Sequence, residues 1–276
     1  MFRHFRGRHK QHIDLKIGVK QGGTITAVEH TVVLDGGAYT SYGVVTAYYA
    51  GAMLPTLYRI PNYKYDGTRV YTNLPASGAF RGHGVPQPRF AFESLLDMIA
   101  EDLGLDPFEI RLCNAMEPNT LTANSLQISS CEFKETLTQA RERSGWRQKK
   151  GKLPRGKGIG VGCGGFVSGA GYPIYRSNFP HSNAMIRVHE DGTGVTLHIA
   201  ASEIGQGSDT VLVQIAAEAL GVPYEWVWMA DCDSTLSPLD LGSYSSRVTL
   251  MAGSAVKTAA EVVNAQLRAV AAAELG

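Results

Sequence analysis

Polar and apolar residues alternate from His12 to Lys20, the chain turns at Gln21-Gly22-Gly23, and the alternation resumes from Thr24 to Asp35. A period of two on both sides of a glycine turn predicts a β-hairpin, which Gly36-Gly37 ends. The Tyr-, Gly- and Ala-rich stretch from Tyr39 to Tyr58 is open between a helix and a buried loop. A polar strand signal follows from Asp66 to Thr72. From Phe90 to Leu103 the period lengthens: Phe92, Leu95, Leu96, Ile99 and Leu103 fall on one helical face, and Gly104 stops it. Asp106-Pro107 pairs an N-cap with a first-turn proline and opens a helix to about Asn114. A third helix is expected from Glu132 to Arg143, closed by Ser144-Gly145.

The second half repeats the hairpin-then-helix order. Gly158 to Phe166 reads as a strand of small residues. Ala184 to His189 and Thr193 to Ala200 flank the turn Glu190-Asp191-Gly192. A helix from Asp209 to Leu220, capped by Gly221, leads to a strand from Tyr224 to Ala230 and an Ala-rich helix from Thr249 onward. Between the halves, the run from Arg147 to Gly158 is basic, with glycine and proline, and is read as a linker over residues 147–157. The expectation is an α+β chain of two mixed α/β domains, 1–146 and 158–276, meeting at a cleft.

Composition narrows the function classes. The 276 residues are 44% hydrophobic, enough for real cores, and only 18% charged, which suggests surface buried against other chains or domains. A net charge of +1 gives no field to draw nucleic acid or an anionic membrane. No apolar run approaches the roughly 18 residues of a membrane span. Met1 to Lys10 carries basic residues with no apolar core after them, unlike a signal peptide, and His4, His9 and His12 there read as solvated. Cys113, Cys131, Cys163 and Cys232 form no Cys-x-x-Cys pair, against structural zinc or a disulfide scaffold, and a reducing cytoplasm is the expected compartment. The basic run at 147–158 lacks interleaved aromatics and has no Gly-Lys-Ser/Thr, so it is neither a nucleic-acid patch nor a Walker loop. The basic opening and the helical close suggest a piece of a longer polypeptide.

Three loops carry the chemistry. Gly78 to Pro88 holds three glycines and two prolines, which exclude a regular helix or central strand, and it presents Arg81 as a fixed cation. It serves equally as a plain strand-to-helix turn. Gly205-Gln206-Gly207-Ser208 stands before a helix, where glycine permits close approach and the N-terminus favours an anion, although capping alone accounts for such a motif. Asp240 to Arg247 offers consecutive hydroxyls and a guanidinium at a third helix entrance, or simply a serine cap. A serine nucleophile is disfavoured, since no Gly-x-Ser-x-Gly elbow occurs. Together the loops suit a long, phosphate-bearing cofactor gripped from several sides.

The motif Ala79-Phe80-Arg81-Gly82-His83-Gly84-Val85-Pro86-Gln87 resembles the Ala-Phe-Arg-Gly-Phe-Gly-Gly-Pro-Gln loop of the molybdenum hydroxylases, the xanthine oxidase family. Gly205-Gln206-Gly207 resembles that family's Met-Gly-Gln-Gly motif, and Tyr58-Arg59-Ile60-Pro61-Asn62 its Tyr-Lys-Ile-Pro-Asn marker. The order matches over nearly the whole chain. Gly242-Ser243-Tyr244-Ser245-Ser246-Arg247-Val248-Thr249 and the His83 loop look most like the 4-hydroxybenzoyl-CoA reductase branch.

The resemblance implies a partial molybdopterin-binding fold and a molybdopterin cofactor, in its cytosine dinucleotide form. It carries cofactor contacts over to Phe80, Arg81, Gly82, Gly205, Gln206, Gly207, Ser243, Tyr244, Ser245, Ser246 and Arg247, with no protein side chain on the metal. Tyr49 stands where purine-oxidising members carry a substrate arginine, and His83 where the family has Phe, so both are expected at the substrate. The family's Gly-Gly-Phe-Gly-Gly-Lys loop and the Gly-x-Gly-Glu base have no counterpart here, so no catalytic residue is assigned. The implied partners are an iron–sulfur subunit and an FAD subunit in a dimer of heterotrimers, and the implied reaction is reductive dehydroxylation of an aromatic acyl-CoA. The alternatives are hydroxylation of a heterocycle or aldehyde, or a nucleotide-binding or assembly module without catalysis.

Overall fold

The computed structural model describes residues 5–169 and 181–276. His4 lies outside them. The chain divides into two compact units, Met1–Phe166 and Val167–Gly276. The expected linker at 147–157 falls within the first of these.

In the first unit, strands β1 (Gln11–Val19) and β2 (Ile25–Asp35) form the antiparallel hairpin that the alternation predicts. On β2, Val28, His30, Val32 and Leu34 are buried on one face. Helix α1 (Gly43–Ala52) then crosses to β3 (Tyr63–Val70), which pairs parallel to β2. The crossover is tight because Gly51 has no side chain: a Cβ there would meet the Tyr65 ring at 2.2 Å. The ambiguous stretch from Tyr39 to Tyr58 thus contains a helix whose residues are almost all small or apolar, so no periodic stripe marks it.

Helix α2 (Pro86–Asp102) starts four residues before the expected Phe90. Pro86 and Pro88 sit in its first turn, where no intrahelical N–H bond is lost. Its Phe92, Leu96 and Ala100 pack on Ile25, Val28, Leu54 and Tyr58, each large side chain contributing roughly 1.5–3 kcal/mol by burial. Helix α3 (Pro107–Asn114) has Asp106 as N-cap, its carboxylate accepting from Phe108 N at 2.8 Å. The short pair β4 (Thr120–Leu121) and β5 (Gln127–Ile128) precedes α4 (Phe133–Arg143) and α5 (Trp146–Lys149).

A buried ionic knot ties these helices. Arg111, fully buried, donates to Glu93 Oε2 at 2.8 Å and to Asp97 Oδ1 at 2.7 Å. Tyr58 donates its hydroxyl to Glu93 Oε1 at 2.7 Å, and the Cys163 amide donates to Glu93 Oε2 at 3.1 Å. That amide bond corrects the strand expected from Gly158 to Phe166. The segment has no strand partner among the described residues, and its glycines leave few side chains to pack on a sheet.

The second unit repeats the arrangement. Strands β6 (Ala184–Val188) and β7 (Val195–Ile199) are antiparallel, α6 (Ser208–Leu220) follows, and β8 (Val227–Met229) pairs parallel to β7. A single π-turn at Val248–Ala252 leads into α7 (Gly253–Leu275). Leu197 and Ile199 of β7, Leu212 and Ala216 of α6, and Val256 and Ala260 of α7 make its core.

Candidate functional site

The Arg81 loop is built by positive backbone angles. Gly82, His83 and Gly84 have φ of 81°, 22° and 84° in succession. A Cβ on Gly84 would meet the Thr46 carbonyl of α1 at 2.4 Å, so glycine is needed for both angle and approach. The His83 side chain is thereby turned onto α1 and the loop before it. Its ring lies 5.3 Å from Tyr42 and stands edge-on to Tyr49 at 5.7 Å and 82°. Tyr49, only 6% exposed, also meets Phe166 edge-on at 5.7 Å. The structure therefore brings together the two expected substrate residues, and adds Tyr42 and Phe166, whose part depends on non-local packing.

His83 Nε2 lies 3.3 Å from the Tyr42 carbonyl, which can only accept, so Nε2 carries the proton and Nδ1 of the neutral ring is an acceptor. Burial pushes the His83 pKa below its ordinary value, opposed by that backbone bond.

Residues 5–9 strap the same loop. The Gly78 amide donates to the Gly7 carbonyl at 3.1 Å, and the Arg8 guanidinium donates to the Arg81 carbonyl. Arg8 also lies 4.8 Å over the Phe80 ring, which meets Phe5 edge-on. The Arg81 backbone is thus pinned, while its side chain is exposed and makes no hydrogen bond among the described residues.

In the second unit, Gly205 and Gly207 have φ of 94° and 80° and bracket an exposed Gln206. The Gln206 amide accepts from Ile204 N at 2.6 Å and donates to Ser202 O at 3.2 Å and Ser208 Oγ at 2.9 Å. The serine loop lies beside it, since Ser243 Oγ donates to Ser202 O at 2.6 Å. Ser245 and Ser246 both adopt left-handed φ, 50° and 52°, an unusual pair for residues with side chains. Ser168 Oγ and Gly169 N hold their carbonyls at 2.6 and 3.1 Å. Tyr244 is 41% exposed.

Arg247 differs from its expected role. Its side chain and that of Asp240 are both fully buried and paired at 2.9 Å. The guanidinium also donates to Gly242 O, His181 O and Ser182 Oγ. It braces the serine loop from inside, with its donors turned to the protein. Ser202, Tyr42 and Arg8 support these loops through contacts that the sequence reading did not single out, and Asp240 does so as the buried partner of Arg247. Among the described residues no group of three or more His, Cys, Asp or Glu could hold a metal ion.

The molybdopterin cofactor-binding domain family matches residues 1–115 and, with its second domain, 139–276. The chain belongs to that family. The xanthine dehydrogenase molybdenum-binding subunit of Escherichia coli O157:H7 is 36% identical over 281 residues, covering 98% of this chain and 36% of that one. Aldehyde oxidoreductase from Desulfovibrio gigas superposes with a TM-score of 0.80 at 30% identity, over 92% of this chain and 28% of that one. Quinoline 2-oxidoreductase from Pseudomonas putida 86 gives 0.82 at 28% identity, over 93% and 34%. The chain spans about a third of the length of such relatives. The two mixed α/β units are those of the family's molybdopterin-binding domains.

Proposed function

We propose that this chain supplies the molybdopterin-holding part of an oxidoreductase, with the Arg81, Gln206 and Ser243–Ser246 loops as its grip on the cofactor. The observation that carries this is the Arg81 guanidinium, exposed and without a hydrogen bond among the described residues, on a loop tied at the Arg81 carbonyl by Arg8 and at the Gly78 amide by Gly7. A cation without an internal partner on a backbone ordered beforehand suits an anionic group, because only the side chain remains to be ordered on binding. The groups left to meet a pterin with a phosphate are the Arg81 guanidinium, the second lone pair of Gln206 Oε1, the Ser245 and Ser246 hydroxyls and the half-exposed Phe80 and Tyr244 rings. Gly82, Gly205 and Gly207 keep side chains out of the approach. When bound, the cofactor supplies two-electron and oxygen-transfer chemistry. This chain's residues bind and orient it, and Arg247 acts by bracing Ser243–Ser246 from below.

For substrate, the reading is an oxygen-bearing aromatic ring, in the finest form a 4-hydroxybenzoyl-CoA-like thioester undergoing reductive dehydroxylation. Tyr49 and His83 support it, as an aromatic wall carrying a neutral imidazole with one acceptor nitrogen. Hydroxylation of a heterocycle or aldehyde is the second reading, supported by the names of the xanthine, quinoline and aldehyde relatives. The same reading takes the cofactor as the cytosine dinucleotide and the partners as iron–sulfur and FAD subunits in a cytoplasmic dimer of heterotrimers.

The test is molybdenum and pterin analysis of the holoenzyme, then assays of aromatic thioesters with a low-potential donor and of purines, quinolines and aldehydes with an acceptor dye. Arg81→Ala and Gln206→Ala should each lower cofactor content, a lost charge-assisted contact costing about 1.5–3 kcal/mol. Wild-type cofactor content in both variants would sink the reading.

A further inference from the structure

Ahead of the Gln206 motif stands a glutamate whose carboxylate has four donors around it. Glu203 Oε1 accepts from Gly205 N at 2.7 Å and Gly207 N at 3.1 Å. Oε2 lies 3.3 Å from both Ser208 Oγ and Asp209 N, at the first turn of α6. The positive end of the helix favours a carboxylate there, and the Gly207 and Asp209 amides are N–H groups the helix itself leaves unpaired. Ile204, between them, is 69% exposed, so apolar contact does not hold the loop. What holds it is Glu203 on one side and the Gln206 amide, bonded to Ile204 N, Ser202 O and Ser208 Oγ, on the other.

We propose that Glu203 is the positioning residue of this loop, its carboxylate fixing Gly205 and Gly207 in their left-handed conformations so that Gln206 is presented in one orientation to the pterin. The inference rests on the reading that Gln206 meets the cofactor. A Gly-x-Gly segment loses more backbone freedom on ordering than any other, so a loop ordered beforehand binds more tightly. It also revises what the glycine loop offers. The Gly205 and Gly207 amides serve the protein's own carboxylate, and both Gln206 amide protons serve Ser202 O and Ser208 Oγ, so recognition at this loop runs through the second lone pair of Gln206 Oε1.

Because only the ionised carboxylate can accept all four of these bonds, the device has a sign in pH. The backbone bond from Gly207 foremost, against some desolvation, holds the Glu203 pKa below its ordinary value. The ordering is present at neutral pH and is lost as pH falls through that lowered value.

The test compares wild type, Glu203→Ala, Glu203→Gln and Gln206→Ala in three ways. These are pterin retained by the holoenzyme, hydrogen exchange at the Gly205, Gly207 and Asp209 amides of the cofactor-free protein, and melting temperature. Both Glu203 variants should lose pterin about tenfold more readily and speed exchange at those amides by about tenfold. Melting should shift by only a few degrees, since the side chain is exposed. Wild type should lose pterin in an acid step that Glu203→Ala lacks. Exchange and retention at wild-type levels in Glu203→Ala, or in Glu203→Gln, would overturn the proposal. Full retention in Gln206→Ala with faster exchange in Glu203→Ala would instead remove the cofactor reading and leave Glu203 as the loop's organiser alone.

Discussion

The hydroxyl of Ser243 donates to the carbonyl of Ser202 at 2.6 Å across 41 positions of sequence, and the same carbonyl receives the Gln206 amide at 3.2 Å. The glycine loop and the serine loop are therefore one hydrogen-bonded body, and disturbing either should be felt at the other. Ser243→Ala removes one net hydrogen bond, worth about 0.5–1.5 kcal/mol, and should lower cofactor retention severalfold. Combined with Gln206→Ala, its effect should fall short of the sum by about 0.5 kcal/mol or more, because both side chains act on one carbonyl. Strict additivity in a double-mutant cycle of pterin retention would show that the loops act separately.

A second consequence concerns the first unit's stability. Arg111 is fully buried and its charge is answered by Glu93 and Asp97. Burial works against the guanidinium, but those carboxylates outweigh it and keep its pKa above the ordinary value. Arg111→Met would leave Glu93, 9% exposed, with the Tyr58 hydroxyl and the Cys163 amide but without its ion-paired guanidinium. Removing one partner of a buried pair costs about 3–5 kcal/mol, read as a lower denaturant midpoint. A loss below 1 kcal/mol would mean the knot is dispensable.

Much of this architecture is legible from periodicity, because hairpins and amphipathic helices are local. The hairpin at Gln11–Asp35 and the helices ending at Asp102, Asn114 and Arg143 lie within a few residues of expectation. Pro86 and Pro88 hid the true start of α2 because a proline that breaks a helix interior is harmless in a first turn. Gly158–Phe166 has a strand's composition, but extended backbone becomes a strand only when a distant segment supplies the ladder. The motifs point to particular loops and not to what holds them. Glu203, four residues before Gly207, was readable locally as a carboxylate facing a helix start. The Asp240–Arg247 pair, the Ser202–Ser243 link and the His83–Tyr42 contact depend on packing that no local pattern encodes.

The buried histidines give a pH prediction. Tyr63 donates its one hydroxyl proton to Gly51 O at 2.9 Å, so His30 Nδ1, 3.1 Å from that oxygen, must be the donor. Nε2 of the neutral ring then lies buried without a polar partner. Protonating it would put a charge in the core, and burial pushes the His30 pKa down to about 4 from 6.5. The unfolded chain binds the proton first, so stability should fall as pH drops from about 6.5 to about 4, by up to roughly 3 kcal/mol for this group. His9, also lowered to about 4 by burial and then Arg69, adds to the same window. Melting curves of wild type and His30→Leu at pH 7, 6, 5 and 4.5 check it. The variant should show the shallower decline, and parallel curves would refute the assignment.

The last prediction concerns His83 and substrate choice. Its Nε2 proton is committed to the Tyr42 carbonyl, which leaves Nδ1 as an acceptor on a ring edge-on to Tyr49. A phenolic O–H can donate to that nitrogen, whereas quinoline or an aldehyde has no O–H or N–H proton to offer. His83→Phe keeps an aromatic ring of similar size and removes the acceptor together with the Nε2 proton that meets the Tyr42 carbonyl. It should therefore lower kcat/KM for a phenolic thioester by roughly 3- to 10-fold, the value of one neutral hydrogen bond, while changing a non-phenolic substrate little. The acid limb gives an independent check. Burial holds the His83 pKa below its ordinary value, so the ring is neutral at pH 7 and gains its second proton only on acidification. That proton occupies Nδ1 and abolishes the acceptor, so kcat/KM for the phenolic substrate should fall through this pKa in wild type and lack that step in His83→Phe. Equal losses on phenolic and non-phenolic substrates, with unchanged acid limbs, would make His83 a packing residue and favour the heterocycle reading.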